Sequence, residues 1–170
     1  VTAAGLQKGT YYAKEIPTDD PYWEFDTAVK SVTVAVGKTA EVTFTNTHYG
    51  RIEFRKTTNT GNQLGGWTFR VKDSNGNTVG DFTTDENGYA CTQNLPLGRY
   101  TVVELPTEDN YWLTELGFHN VTVKAGETTV DTWLNKEQGL AWFYKKTNTG
   151  ESVEGWHITV YSDESCTQKV

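Results

Sequence analysis

Methionine is absent from this chain of 170 residues, cysteine occurs twice and proline four times. The missing methionine, with a start at Val1, reads as an excerpt from a longer precursor. Cys91 and Cys166 form no CxxC pair and no metal-ligand spacing, which excludes a disulfide framework and a cysteine-based metal site; both are expected to stay unpaired. His48, His119 and His157 are scattered, lack ligand spacing and read as surface or strand residues, so neither metal nor cofactor is expected. No apolar run approaches the length of a membrane span. Basic clusters are missing too, and the formal net charge is −7, which argues against nucleic acid and anionic membrane as partners.

What is plentiful is glycine, at 16 residues, together with threonine, valine, tyrosine and tryptophan, a mixture that favours strands over helices. The organisation comes from self-similarity. GTYYAKEIPTDDPYW from Gly9 returns as GRYTVVELPTEDNYW from Gly98, and the VTV segment from Val32 returns from Val121. Gly66-Trp67 returns as Gly155-Trp156, and every one of these pairs is separated by 89 positions. The chain therefore reads as the C-terminal part of a first repeat (1–49), a complete repeat (50–138) and the N-terminal part of a third (139–170). Such arrays are usually stalks, spacers or binding rods.

Within the complete repeat, strands are expected at about 51–57, 66–72, 78–84, 89–93, 98–105, 117–124 and 127–135. Asp73-Ser74-Asn75-Gly76-Asn77, Asp85-Glu86-Asn87-Gly88 and Lys124-Ala125-Gly126-Glu127 supply turn chemistry between them. Seven short strands without a helix predict an all-β fold of tandem, immunoglobulin-like antiparallel β-sandwiches.

Alternate residues of a strand share a face. On that rule Lys56 lies in phase with Ile52 and Phe54, Glu104 with Tyr100 and Val102, and Asn135 with Asp131 and Trp133. The flanking partial repeats carry the same pattern in Glu15, Asn46 and Lys145. Burying an isolated ammonium or carboxylate costs several kcal/mol, so three inward polar residues recurring at fixed spacing call for a joint explanation. A buried lysine loses its proton more readily and becomes a nucleophile, while a buried glutamate holds its proton. The acid can hydrogen-bond the asparagine carboxamide oxygen, polarise its carbon and shuttle protons as ammonia leaves. The product is an uncharged Lys–Asn isopeptide bond.

The pattern Gly50-Arg51-Ile52-Glu53-Phe54-Arg55-Lys56, then Gly66-Trp67-Thr68-Phe69, then YTVVELP from Tyr100 and a terminal Asn135 resembles the collagen-adhesin B-type, SpaA-like domain of Gram-positive pilins and adhesin stalks. The resemblance implies a structural role on the bacterial cell surface, in cell wall or pilus. It also implies a Lys56–Asn135 cross-link with Glu104 catalytic, a reaction run once within the chain rather than enzymatic turnover. By position it extends to Lys145 and Asn46 with Glu15 as the acid, brought together between neighbouring repeats or between copies of the protein. The family commonly has a small residue where Trp67 and Trp156 stand, and a simple Gly-Tyr where Tyr22-Trp23 and Tyr111-Trp112 stand. A second reading is a surface binding module for a glycan or host protein that uses Trp23 and Trp112 as stacking platforms. No nucleophile–histidine–acid set recurs, which leaves little for a turnover enzyme to use.

Overall fold

The structure is a computed structural model that describes residues 3–108 and 111–170. Val1, on which the reading as an excerpt rests, and Asp109-Asn110, within the second copy of the Tyr-Trp turn, lie outside the described residues. Val1–Glu137 and Gln138–Val170 form two compact units.

Among the described residues the first unit holds twelve strands. They are β1 (Gly9–Ala13), β2 (Trp23–Glu24), β3 (Lys30–Val34), β4 (Thr47–His48), β5 (Arg51–Thr58), β6 (Thr68–Lys72), β7 (Thr78–Thr83), β8 (Tyr89–Cys91), β9 (Gly98–Glu104), β10 (Trp112–Leu113), β11 (His119–Val123) and β12 (Thr128–Glu137). No helix is found among the described residues. From β5 onward the strands form two sheets, ordered β10-β12-β5-β8 and β11-β9-β6-β7. Their facing sides enclose a core of Ile52, Phe54, Trp67, Phe69, Val71, Val102 and Trp133. The all-β sandwich expected from the strand pattern is thus present. One pair departs from the antiparallel rule: β5 and β12 run parallel, from Arg51 opposite Thr128 to Thr58 opposite Asn135. Parallel neighbours need a long crossover between them, and here the whole domain is the crossover.

The turns form where their chemistry is written. Asp73 Oδ1 accepts the Asn75 and Asn77 amides, each at 2.9 Å. Asp85 Oδ1 does the same for Asn87 and Tyr89, also at 2.9 Å. Each motif is closed by a glycine in the left-handed region, Gly76 at φ 83° and Gly88 at φ 76°.

Before residue 50 the pairings of the later strands recur in the same register. Gly9 faces Val34 as Gly98 faces Val123, and Trp23 faces His48 as Trp112 faces Glu137. Residues 39–46, which correspond to the body of β12, form no strand. β12 is held along its length by β5, and residues 39–46 have no such neighbour among the described residues.

The second unit has a single bridge, Tyr161 to Lys169, supported by Ser162 N donating to Gln168 O at 2.9 Å. Nearly all its side chains are exposed.

Candidate functional site

Strand parity brings the three predicted polar residues into the core of the first unit. On β5 the buried positions are Ile52, Phe54 and Lys56; on β9 they are Tyr100, Val102 and Glu104; on β12 they are Asp131, Trp133 and Asn135. Lys56 and Asn135 are 2% and 0% exposed, which leaves water no part in their solvation. Lys56 Nζ donates to Glu104 Oε1 at 2.6 Å, and Asn135 Nδ2 donates to the same oxygen at 2.9 Å. Glu104 Oε2 is buried without a hydrogen-bond partner among the described residues.

The surroundings weaken the ammonium. Burial holds Lys56 below the usual lysine range, although its hydrogen bond to Glu104 pulls the other way. Trp67 lies across the amine with its ring centroid 4.5 Å from Nζ, and Phe69 stands at 5.9 Å. The tryptophan found in place of a small residue is therefore the wall of the lysine site. In the second unit, Lys145 Nζ lies 4.4 Å over Trp156, which repeats this pairing.

One detail differs from the sequence reading. Glu104 holds the carboxamide nitrogen of Asn135 rather than its oxygen. The oxygen, Oδ1, accepts the backbone N–H of Glu115 at 3.1 Å. Glu104 thus sits beside the carboxamide NH2 of Asn135.

In the first partial repeat Asn46 Nδ2 donates to Glu15 Oε1 at 2.6 Å, and Glu15 Oε2 is buried without a partner among the described residues. This reproduces the glutamate–asparagine half of the site. Lys145 belongs to the separate second unit and is exposed.

Parity did not reveal a polar cluster beside Asn135. Asp131, 8% exposed, accepts from Trp133 Nε1 at 2.9 Å and from His119 Nδ1 at 2.7 Å. His119 stacks on Trp133 at 3.8 Å, and its Nε2 faces Glu115 Oε1 at 3.2 Å. His119 is the strand residue the sequence allowed, at the start of β11, and is in addition part of a hydrogen-bonded network. The available signal was that Asp26 and Glu115 are both acidic, and Lys30 and His119 both basic, at the 89-residue spacing.

The profile of the SpaA prealbumin-like fold domain matches residues 50–137, just over half of the chain, and that span contains Lys56, Glu104 and Asn135. The chain belongs to the SpaA family. Among solved structures, this SpaA-family chain is similar to GBS52, the minor pilin of Streptococcus agalactiae, at 16% identity and TM-score 0.49, covering 85% of this chain and 66% of that one. It is also similar to the Bacillus anthracis TIE protein, at 23% identity and TM-score 0.47, covering 65% of this chain and 20% of that one. A third is BcpA, the major pilin subunit of Bacillus cereus, at 20% identity and TM-score 0.46, covering 74% of this chain and 41% of that one. The SpaA-family chain thus spans between a fifth and two thirds of the length of these proteins. No curated protein matches it at a significant level.

Proposed function

We propose that this SpaA-family chain is a segment of a stalk or pilus shaft displayed on the surface of a Gram-positive bacterium. Its central domain, 50–138, is clamped by a self-made isopeptide bond between Lys56 and Asn135, with Glu104 as the catalyst. The observation that carries the reading is the convergence of a buried amine, carboxyl and carboxamide on one oxygen, Glu104 Oε1. In a low dielectric the Lys56 proton passes to Glu104, leaving a neutral amine and a neutral acid. Lys56 Nζ then attacks Asn135 Cγ. Glu104 delivers its proton to Nδ2 and the Cγ–Nδ2 bond breaks. Glu104 then takes the extra proton from Nζ and passes it to the released ammonia, which leaves as ammonium, so that Glu104 returns to the carboxylate.

The bond suits a part that carries tension. Lys56 and Asn135 lie 79 positions apart and stand on the first and last strands of the domain, which run parallel. Closing a loop of that length constrains the unfolded chain by about 4–5 kcal/mol, on the model used for disulfides. A pull entering at β5 and leaving at β12 passes through the bond and bypasses the ladders between other strands. Unlike a disulfide, the bond is indifferent to reduction.

The same chemistry extends to the flanking segments, read as parts of a first and a third repeat. Glu15 and Asn46 are hydrogen-bonded to each other with no amine bonded to Glu15 among the described residues; a lysine equivalent to Lys145, from a neighbouring repeat or another copy, completes that set. The alternative role, as a binding module for a glycan or host protein, finds its aromatic platforms engaged elsewhere. Trp23 stacks on His48 at 3.9 Å, and Trp112 meets Trp67 edge-on at 5.3 Å.

Pulling the full chain by its ends in a single-molecule force experiment tests the stalk role. The wild type is expected to show no lengthening from the segment between Lys56 and Asn135 at any force below covalent rupture. Glu104→Ala should release that segment in one step. A wild type that lengthens like the variant contradicts the proposal.

A further inference from the structure

We propose that the backbone N–H of Glu115 is the oxyanion donor of the bond-forming reaction, and that His119 positions it. This rests on the Lys56–Asn135 reading above. When Lys56 Nζ adds to Asn135 Cγ, the electron pair of the C=O bond moves onto Oδ1. That oxygen carries the negative charge until the pair returns and Nδ2 leaves as ammonia. A donor already aimed at Oδ1 stabilises that charge without reorganising at the moment of reaction. Glu115 N–H meets the requirement at 3.1 Å.

The arrangement is built twice. Glu115 Oε2 accepts the backbone N–H of Leu134, next to the reacting Asn135, at 3.3 Å, and its Oε1 faces His119 Nε2 at 3.2 Å. Eighty-nine positions earlier, Asp26 N–H donates to Asn46 Oδ1 at 2.9 Å and Asp26 Oδ2 accepts Thr45 N–H at 3.5 Å. Asp26 is also paired with Lys30, which stands where His119 stands in the later copy. Three contacts therefore recur although both side-chain identities have changed. What is kept is an acidic residue whose carboxylate takes the backbone N–H just before the asparagine and a basic side chain. Its own amide stays on the carboxamide oxygen. His119 is in turn fixed by Asp131 and by stacking on Trp133.

The test uses the full chain, kept unfolded after synthesis and folded by dilution from denaturant, with intact mass sampled over time. Replacing residue 115 by the corresponding hydroxy acid turns the amide into an ester and removes only the N–H. Ammonia loss should slow by about 10²–10³-fold, the usual cost of one oxyanion donor, while near-ultraviolet circular dichroism remains native. An ester chain that folds and loses ammonia at the wild-type rate overturns the inference. A wild type that never loses ammonia overturns the underlying reading, and the inference with it. Should the ester chain fail to fold, His119→Phe and His119→Lys carry the test. Phenylalanine keeps the stack on Trp133 and drops both hydrogen bonds, and should slow the reaction. Lysine copies the Lys30 arrangement and should restore the rate. Equal rates in wild type and both variants overturn the positioning role.

Discussion

His119 is held between two carboxylates, with Asp131 on Nδ1 and Glu115 on Nε2, while Trp133 covers its ring. Burial alone lowers its affinity for a proton, but the hydrogen bonds and charges of Asp131 and Glu115 outweigh that effect, and the net shift is upward. A histidine whose folded value lies above its unfolded one adds stability that is complete below the unfolded value of about 6.5. That stability is lost as pH rises through the higher folded value. His119→Gln should therefore lower Tm most below about pH 6.5, and the gap from wild type should narrow as pH rises beyond it. Thermal melts of both proteins across that range check this, and a gap that does not vary with pH contradicts it. At this scale the sequence was legible where periodicity operates. Lys56, Glu104 and Asn135 each lie in phase with core residues, and all three are buried. Glu115 lies in a loop without periodicity, and parity reports which face a residue takes but not what it meets there. The hold of Glu115 on the Asn135 carboxamide was therefore out of reach.

Strands β5 and β12 place the lysine and the asparagine, and β5 depends on close backbone approach. Lys56 N donates to Gly88 O at 2.8 Å, and a Cβ on Gly88 would lie 2.6 Å from Lys56 O, in a residue already at φ 76°. Gly88→Ala must therefore both strain its own backbone and push β5 away at Lys56. The expected cost exceeds about 1 kcal/mol, measured by denaturant unfolding with Glu104→Ala as the common background so that no cross-link masks it. Unchanged stability would show that the β5 segment has room to move. The seven strands anticipated from alternation and turn residues are all found, because Asp-Asn-Gly turns and inward valines and aromatics are local signals. β10 escaped notice because two residues are too short to show a period. The parallel relation of β5 and β12 escaped because alternation says nothing about which strand lies alongside.

Across the whole chain, the same pairings recur on both sides of residue 50, with Gly9–Val34 repeated by Gly98–Val123 and the Glu15–Asn46 contact repeated by Glu104–Asn135. The sequence repeat made this correspondence legible, since side chains 89 positions apart take up equivalent places. It could not reveal that residues 39–46 remain without strand structure, because a ladder forms only when its partner is present. On the reading proposed above, a domain whose first and last strands lie side by side, with a buried amine and carboxamide on one carboxylate, closes itself covalently. The intact mass of the denatured full chain tests that claim most directly. The account predicts a wild-type mass one ammonia below the sequence mass, restored to the full sequence mass, after correction for the substitution, in Glu104→Ala. A wild-type chain at its full sequence mass after native folding would contradict it.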